Sequence, residues 1–399
     1  MNRRKRMKKI SAIILSAALI LVLTACGGID LGGGSSNKPP KGMETEPAEL
    51  FEYEFDAEHG GIKLLKYSGM KTSLKIPDEI EGVPVVGIES ACFAVGQVTE
   101  VFFNDTVKYF KWGSKYNRAT GAENMETIII PNGVTEIAER TFDDFNSLTS
   151  VIIPSSVTTI GRNAFGWCCC NSPSMLTKIT IPDNVTSIGP EAFLSKNLAS
   201  VTIGSGIKDL EGTGLYGING RAEIIVSENN SAYSSVDGVL FDKNKTTLIS
   251  YPALKQQDSY IIPDSVTTIY NRAFAYSGLT SIIIPDNITT LGRCAFEGCK
   301  RLTNVTIGNG VTIIDYSTFK DCSELMNVTI GNSVTTIDNS AFENTRSLKN
   351  LTMPDSLTSI DDYAFQGWSG LTSITYKGKT YNWSDGLEKS EFRNAVNGR

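Results

Sequence analysis

Histidine is almost absent from this sequence, which carries one, His59, among 399 residues. The residue falls in a segment that reads as a loop. Ser-His-Asp and Cys-His catalytic groups and most histidine-ligated metal sites depend on this side chain. The near absence of histidine therefore argues against most hydrolase and metal chemistry. We expect a protein that is not an enzyme and that holds no cofactor.

Positive charge is scarce outside the N-terminus. The first 25 residues hold six basic side chains and no acidic one. The 31 basic residues that remain stand against 43 acidic residues, a net charge of −12. A surface this acidic repels phosphate backbones, so nucleic acid is excluded as an expected partner.

Long hydrophobic runs are missing, and the apolar run at Ile10–Leu23 is too short to span a bilayer but fits the core of a signal peptide. It follows a basic head and ends in Leu-Thr-Ala-Cys, which resembles a bacterial lipobox. The resemblance implies that residues 1–25 are removed and that Cys26 is lipidated, giving membrane contact through lipid alone. The alternative is an ordinary secretory signal. Residues 26–49 are rich in Gly, Ser, Pro and Glu and predict a flexible tether.

Internal repetition is the strongest positive feature of the chain. The stretch Leu325–Thr345 aligns with Leu348–Trp368 at a spacing of 23 residues, and Phe342 and Phe365 fall at matching places. Apolar residues hold fixed positions while the residues between them vary. A period in the twenties is the signature of a solenoid, in which each coil, meaning one repeat of the chain, buries its apolar face against its neighbours.

The pattern within a repeat predicts how each coil folds. Alternating apolar residues predict a strand, a Pro or Gly ends it, and an Ala-Phe pair fills the middle of the coil. We therefore predict a solenoid of the leucine-rich-repeat type, with stacked parallel β-strands joined by short or helical turns. It covers residues 50–385 in about a dozen coils, is irregular at 98–124 and 204–260, and is followed by a C-terminal cap or tail at 386–399. Polar residues 242–245 predict an inserted β-hairpin, and residues 377–379 a capping hairpin.

Residues 148–165 read Leu-Thr-Ser-Val-Ile-Ile-Pro-Ser-Ser-Val-Thr-Thr-Ile-Gly-Arg-Asn-Ala-Phe. This repeat resembles that of the BspA-like leucine-rich repeat surface lipoproteins of bacteria, and the resemblance covers residues 62–385. It implies display on the cell surface and adhesion to host or neighbouring-cell proteins. It implies no catalytic residues.

Two groups of side chains could be taken for metal ligands. Cys168, Cys169 and Cys170 lack the spaced pairs and histidines of a zinc site. Aspartates follow several strand-ending prolines and read as turn residues: Asp183, Asp264, Asp286 and Asp355. We expect no metal site.

Two cysteines fall at the same place in adjacent coils. Cys299 and Cys322 each lie three residues after a phenylalanine of the repeat, so they are expected a few ångströms apart. Buried thiols that pack as small apolar groups are the favoured interpretation. A disulfide is the alternative, which an extracellular compartment would permit.

Basic and aromatic residues cluster in one segment of an otherwise acidic chain. Aromatic and Arg side chains mark the cores of protein interfaces, so this cluster is the candidate partner-binding patch. The alternative is that its aromatic residues fill an irregular coil and its lysines are ordinary surface. The patch comprises Lys108, Tyr109, Lys111, Trp112, Lys115, Tyr116 and Arg118.

The outward positions of the predicted strands are mostly Ser, Asn and Thr. They predict a long, flat, uncharged face that suits extended contact and offers no reaction pocket. We expect a monomeric, lipid-anchored cell-surface protein that binds an extracellular protein or glycan. The alternative is a scaffold module of the cell envelope that binds peptidoglycan or another envelope protein. Which face of the solenoid binds is left open.

Overall fold

The computed structural model describes residues 39, 41–89, 92–93, 98–111, 124–142, 145, 147–165, 175–190, 192–193, 197–209, 222–255, 257–367, 370–384 and 386–398. The predicted signal peptide and Cys26 lie outside these ranges. A short 3-10 helix, Ala48–Leu50, precedes the first strand.

The first half of the described chain is built from short strands. In chain order they are β1 (Phe51–Asp56), β2 (Gly61–Tyr67), β3 (Ser73–Lys75), β4 (Glu79–Ile80), β5 (Val83–Glu89), β6 (Glu100–Phe102), β7 (Tyr109–Lys111), β8 (Thr127–Ile129), β9 (Glu136–Ile137), β10 (Ser150–Ile152), β11 (Thr159–Ile160), β12 (Lys178–Ile181), β13 (Ser187–Ile188), β14 (Ser200–Ile203) and β15 (Glu223–Val226).

The second half continues the pattern and ends in a helix. Its elements are β16 (Tyr233–Val236), β17 (Val239–Asp242), β18 (Thr247–Ser250), β19 (Ser259–Tyr260), β20 (Thr268–Ile269), β21 (Ser281–Ile284), β22 (Thr290–Leu291), β23 (Asn304–Ile307), β24 (Ile313–Ile314), β25 (Asn327–Thr329), β26 (Thr336–Ile337), β27 (Asn350–Thr352), β28 (Ser359–Ile360), β29 (Ser373–Tyr376), β30 (Lys379–Asn382) and α1 (Gly386–Asn397).

These strands form a parallel-strand solenoid of about eleven turns, which confirms the predicted fold class. The longer strand of each coil joins a first ladder, in which successive repeats pair in register. Strand β21 pairs with β23, for example, so that Ile282 lies opposite Val305 and Ile284 opposite Ile307. Because side chains alternate along a strand, the apolar pair points inward in every coil and its neighbours point outward.

A second ladder, which the sequence pattern did not predict as strands, runs along the V-x-x-I part of the repeat. Its strands are only two or three residues long, as in β24, β26 and β28, and they also pair in parallel. Strand β7 pairs in parallel with β5, with Phe110 opposite Ile88. The irregular coil at 98–124 therefore keeps its second strand, although the sequence suggested that little beyond its first strand fits the repeat.

The phenylalanines of the repeat stack face to face. The rings of Phe296 and Phe319 lie 5.3 Å apart at 11°, and those of Phe319 and Phe342 lie 5.3 Å apart at 17°. Phe365 continues the column at 6.0 Å and 25°. Stacked strands are about 4.8 Å apart, so one ring per coil at a fixed place produces this column. The predicted stack is confirmed.

The turn that presents each phenylalanine contains residues in the left-handed backbone region. Ser317 and Asp321 flank Phe319 at φ 54° and 60°, and Cys294 and Gly298 flank Phe296 at 57° and 70°. Their N–H groups bond to the next coil; that of Ser317 reaches the carbonyl of Asn339 at 3.1 Å. The hydrogen bonds between coils thus hold non-glycine residues in a conformation that L-residues otherwise avoid.

Antiparallel hairpins interrupt the parallel ladders within the part of the chain that the structure describes. Both predicted hairpins are present, formed by β17 with β18 and by β29 with β30. A hairpin between β16 and β17, which the sequence analysis missed, turns at Asp237 and Gly238 with φ 50° and 77°. An Asp-Gly pair between apolar alternations is the expected signal for such a turn.

The inserted hairpin separates two apolar clusters of the solenoid. Leu240 packs with the cluster that begins at Phe51, whereas Val239 and Phe241 pack with the cluster that ends at Val396. Since neighbouring residues of a strand face opposite sides, β17 contributes to both.

The C-terminal segment closes both ladders. Strand β30 pairs with β29 at the end of the first ladder, and helix α1 packs against β28 at the end of the second. The side chain of Asn397 accepts the N–H of Ile360 at 2.9 Å and donates to its carbonyl at 3.1 Å. An amide side chain here takes the place of a further strand, so the edge is not left open.

The end of the predicted tether is folded against the solenoid. Glu46 is 3% exposed, its N–H bonds to the carbonyl of Lys75 at 2.9 Å, and its carboxylate accepts the hydroxyl of Tyr67 at 2.7 Å. Thr45 also bridges to Lys75. The predicted tether, which extends to residue 49, is therefore too long. The prediction rested on composition, and composition does not reveal that one acidic side chain is buried against the solenoid.

Candidate functional site

The candidate partner-binding patch lies at the second strand of the irregular coil, where the structure describes three of its seven residues. Lys108 is exposed, Tyr109 is partly buried, and the backbone of Lys111 pairs with Glu89. The other four, which are Trp112, Lys115, Tyr116 and Arg118, lie outside the described residues. Partner binding by the patch stays a prediction.

Tyr109 packs onto the first coil. Its ring lies over Gly87, where a Cβ atom would fall 2.3 Å from the ring carbon that bears the hydroxyl. The hydroxyl donates to the carboxylate of Asp56, and the ring lies 4.3 Å from the ring of His59. The glycine provides the space that brings Tyr109 to the β1–β2 turn, although Asp56 is 53 residues away in sequence.

Asp56 is the centre of this turn. Its Oδ1 accepts the N–H of Glu58 at 2.9 Å and that of His59 at 3.3 Å. Its Oδ2 accepts the hydroxyl of Tyr109 and lies 2.9 Å from Nδ1 of His59. Burial alone would raise the pKa of Asp56, but the hydrogen bonds from Tyr109, His59 and the turn backbone lower it to about 2. Burial and the Asp56 carboxylate raise the pKa of Tyr109 well above its usual value.

Asp56, Glu58 and His59 form a group of metal-ligating side chains within the part of the chain that the structure describes. One ligand atom from each lies within 4.8 Å of the other two. Sequence reasoning treated His59 as an isolated loop residue. The Asp-x-x-His spacing in a tight turn was the available signal, but the approach of Tyr109 could be seen only in the fold.

The outward face of the first ladder is polar and uncharged over β23, β25, β27 and β29. Asn304, Asn327 and Asn350 occupy the same exposed position in successive strands. The amide of Asn327 donates to Oδ1 of Asn304 at 2.7 Å, and Ser373 donates to Oδ1 of Asn350 at 2.8 Å. We call the exposed Ser, Asn and Thr side chains of β21, β23, β25, β27 and β29 the outer face. Parallel register places these groups in rows about one strand spacing apart.

Beside the outer face, toward the inserted hairpin, the outward side of the first ladder becomes apolar. Ile261 and Ile283 are 89% and 67% exposed, where later coils carry threonine. The register of β19 and β21 sets these two residues side by side.

Two of the aspartates that follow strand-ending prolines, Asp183 and Asp286, act as the predicted turn residues. Oδ1 of Asp183 accepts the N–H of Ser205 at 2.6 Å, and Oδ1 of Asp286 accepts that of Asn309 at 2.6 Å. Each caps the corresponding turn of the following coil, so these oxygens hold coil to coil.

Cys299 and Cys322 are buried free thiols, as the favoured interpretation predicted. Their Sγ atoms donate to the carbonyls of Phe274 at 3.0 Å and Phe296 at 3.2 Å. Thr345 in the next coil donates instead to the carbonyl of Phe342 in its own coil, at 2.9 Å. Burial raises the pKa of Cys322 well above its ordinary value, which disfavours the reactive thiolate. Cys168–Cys170 lie outside the described residues.

A cleft of about 580 Å³ opens between the last coil and α1. Lys389 lies 4.7 Å over the ring of Trp383, and Arg393 contacts Asp362. These side chains pair with one another, and among the described lining residues no carboxylate pair or nucleophile–base pair is set up for catalysis. Within the described residues, no helix has the length and apolar character needed to cross a membrane.

Comparison with known proteins identifies the repeat. The BspA type leucine rich repeat region matches in six copies over residues 116–236 and 250–381. No curated protein matches the chain.

Among solved structures, a leucine-rich repeat protein from Bacteroides ovatus aligns with a TM-score of 0.50 at 23% identity, covering 82% of this chain and 89% of its own. A leucine rich cell surface protein from Faecalibacterium prausnitzii aligns with a TM-score of 0.49 at 22% identity, covering 92% of this chain and 99% of its own. At such identities the first of these likenesses supports the fold alone.

Proposed function

The chain belongs to the BspA type leucine-rich repeat family, and from this premise we propose that it is a cell-surface binding protein whose solenoid holds an extracellular protein or glycan. Members of a repeat family bind through extended surfaces because a stack of coils offers area rather than depth.

The observation that carries the proposal is the outer face. Its rows of Asn, Ser and Thr are uncharged and exposed or partly exposed, and strand pairing holds them in register within β21, β23 and β25 and within β27 and β29. Amide and hydroxyl groups both donate and accept hydrogen bonds, so they can pair with the hydroxyls of a glycan or the backbone of a protein. The absence of charge lowers the desolvation penalty of such contact.

Binding accounts for the described chain better than catalysis does. The thiols of Cys299 and Cys322 are buried. The carboxylates of Asp183 and Asp286 accept backbone hydrogen bonds from the next coil. The cleft at the C-terminal cap is lined by side chains that pair with one another. We propose that the protein acts by contact and turns over no substrate.

Attachment to the membrane is part of the proposal and rests on the sequence. Leu-Thr-Ala-Cys at residues 23–26 follows a basic head and an apolar run of the length that a signal peptide needs. Lipid chains on Cys26 would anchor the mature chain. Cys26→Ser should abolish incorporation of labelled fatty acid and release the protein from the membrane fraction; retention of label by the variant would contradict lipid attachment.

A binding screen tests the proposed function. Cells that display the full chain are to be compared with cells that display none, on arrays of extracellular proteins and glycans. Capture of at least one array member is expected. Failure to bind any protein or glycan would contradict the proposal, whereas capture by purified peptidoglycan alone would favour the scaffold alternative.

Matched variants locate the binding face. Replacing Asn304, Asn327 and Asn350 together by Lys puts three charges on the outer face and should weaken binding by at least about tenfold. The control replaces three exposed outward residues of the second ladder, Ser187, Thr290 and Ser359, by Lys. Equal binding by the two triple variants would argue against the outer face.

A further inference from the structure

We propose that the β1–β2 turn binds a divalent first-row transition-metal ion through Asp56, Glu58 and His59, with Zn²⁺ as the reference ion. The expectation of no metal rested on the lack of paired histidines and spaced cysteines. This cluster instead uses one imidazole and two carboxylates, which lie within four residues of sequence and within 4.8 Å in space.

The donor set defines the class of ion. Imidazole nitrogen favours Zn²⁺, Ni²⁺ and related ions, whereas Ca²⁺ and Mg²⁺ prefer oxygen ligands alone. Two carboxylates neutralise a divalent charge. Three protein ligands leave positions for water, because Glu58 is exposed and the side chain of His59 is 35% exposed.

The separation of the two inner ligands suits a shared ion. Nδ1 of His59 lies 2.9 Å from Oδ2 of Asp56. Two ligands at about 2.1 Å from a tetrahedral ion are about 3.4 Å apart, so a separation wider by about 0.5 Å would let one ion take the place of the proton between these atoms. Without metal, a proton on Nδ1 would bridge these atoms. With metal, Nδ1 would coordinate as the neutral ring, with its remaining proton on Nε2.

The turn is already held in shape for this role. Oδ1 of Asp56 accepts hydrogen bonds from two backbone N–H groups of the turn. These bonds fix the carboxylate and leave Oδ2 with capacity to coordinate an ion. The hydroxyl of Tyr109 donates to Oδ2, as second partners of ligating carboxylates commonly do. The side chain of Asp56 is only 12% exposed, so its orientation is constrained.

Glu58 supplies the adjustable ligand. Its exposed side chain can rotate the short distance from its present position toward the other two atoms. An ion here would tie the first coil to Tyr109 and so to the candidate patch. The proposal does not depend on adhesion.

The lone histidine gives the test a unique reporter. The full chain is to be produced without a histidine tag, labelled with ¹⁵N-histidine and solubilised in detergent. Its NMR spectrum then contains one pair of imidazole nitrogen signals, those of His59. Titration with Zn²⁺ should shift the Nδ1 signal in a saturable way. Reading the histidine signal rather than total bound zinc separates this site from thiols that also take Zn²⁺.

Variants assign the ligands. Glu58→Gln and Asp56→Asn should each weaken the Zn²⁺-dependent shift by at least about tenfold, and Tyr109→Phe by about tenfold as a loss of outer support. Asp56→Asn keeps an oxygen for the turn backbone. The control is Glu52→Gln, an exposed acid on the same strand, which should bind Zn²⁺ as the unmodified chain does.

Three results would overturn the proposal. They are no shift of the His59 signal at millimolar Zn²⁺, a shift that Glu58→Gln and Asp56→Asn leave unchanged, and a response to Ca²⁺ with none to Zn²⁺. Circular dichroism of each variant should match that of the unmodified chain, and Glu58→Gln alone decides the outcome if Asp56→Asn unfolds.

Discussion

The regular coils between Tyr251 and Phe365 and the first coils of the chain reach the same buried core by different means. In the regular coils each aromatic ring lies flat on the next, at 4.9 to 6.0 Å and 8° to 28°. In the first coils Phe93, Phe103 and Phe110 meet edge to face, at 61° and 78°.

The cause of the difference is register. A repeat of constant length returns the same residue to the same place, so identical rings stack without any special contact. Phe103 and Phe110 instead stand at different places within one coil, so their rings meet at an angle, and single polar contacts hold the segment. The hydrogen bond from Tyr67 to Glu46 and the group around Asp56 are such contacts. The packing of the regular coils therefore follows from the repeat itself, whereas that of the irregular coils depends on particular pairs of side chains.

Removing a ring from the middle of the stack should have the largest effect. Phe319 is fully buried and contacts Phe296 and Phe342. Phe319→Ala should lower the free energy of unfolding by about 3–5 kcal/mol, through lost burial and the cavity left behind. Urea unfolding followed by circular dichroism measures it. Tyr363→Ala, at a site 58% exposed, serves as the control, and a similar small loss in both variants would contradict the stacked core.

Breaking one polar contact of the first coil should cost less. Tyr67→Phe removes the hydroxyl that bonds to buried Glu46 and should lower the free energy of unfolding by about 1.5–3 kcal/mol. Urea unfolding at neutral pH gives this value. Ser73→Ala, which removes a hydroxyl bonded to Glu100 at a less buried site, is the matched control. Equal losses would mean that burial of the contact is unimportant.

The same pair predicts a pH dependence. Burial and the Glu46 carboxylate raise the pKa of Tyr67 to about 12, above its usual 10. A raised pKa in the folded state means that the hydroxyl's contribution is fully present below pH 10 and is lost as the pH rises through 12. The difference in stability between the unmodified chain and Tyr67→Phe should narrow over that range. A constant difference would contradict the raised pKa.

A smaller gain of stability should come from the turn beside the stack. Ser317 has φ 54° and a buried hydroxyl without a hydrogen-bond partner. Ser317→Gly relieves both and should raise the free energy of unfolding by about 1 kcal/mol after the entropic cost of glycine. Ser340→Gly is the control, since Ser340 has φ 56° but its hydroxyl donates to Asn339 at 2.9 Å. An equal gain in both would show that only the backbone matters.

How much of the candidate site was predictable also differs between these regions. The amide and hydroxyl rows of the outer face could be read from the sequence, because outward strand positions recur with the repeat. Ile261 and Ile283 could be read in the same way. The contact of Tyr109 with Asp56 and His59 could not, since no periodicity links residues 53 positions apart and the space above Gly87 exists only in the fold.

The sequence by itself determined the solenoid, its parallel first ladder, the phenylalanine stack, the inserted and capping hairpins and the burial of Cys299 and Cys322. Each follows from local alternation, turn residues and a fixed period. Only the tertiary structure decided that the V-x-x-I segments pair as a second ladder, that Glu46 anchors the start of the described chain, that Asn397 closes an edge, and that the lone histidine joins a carboxylate cluster. These depend on single side chains from distant segments, whose meeting is set by how the coils stack and not by any pattern within one coil.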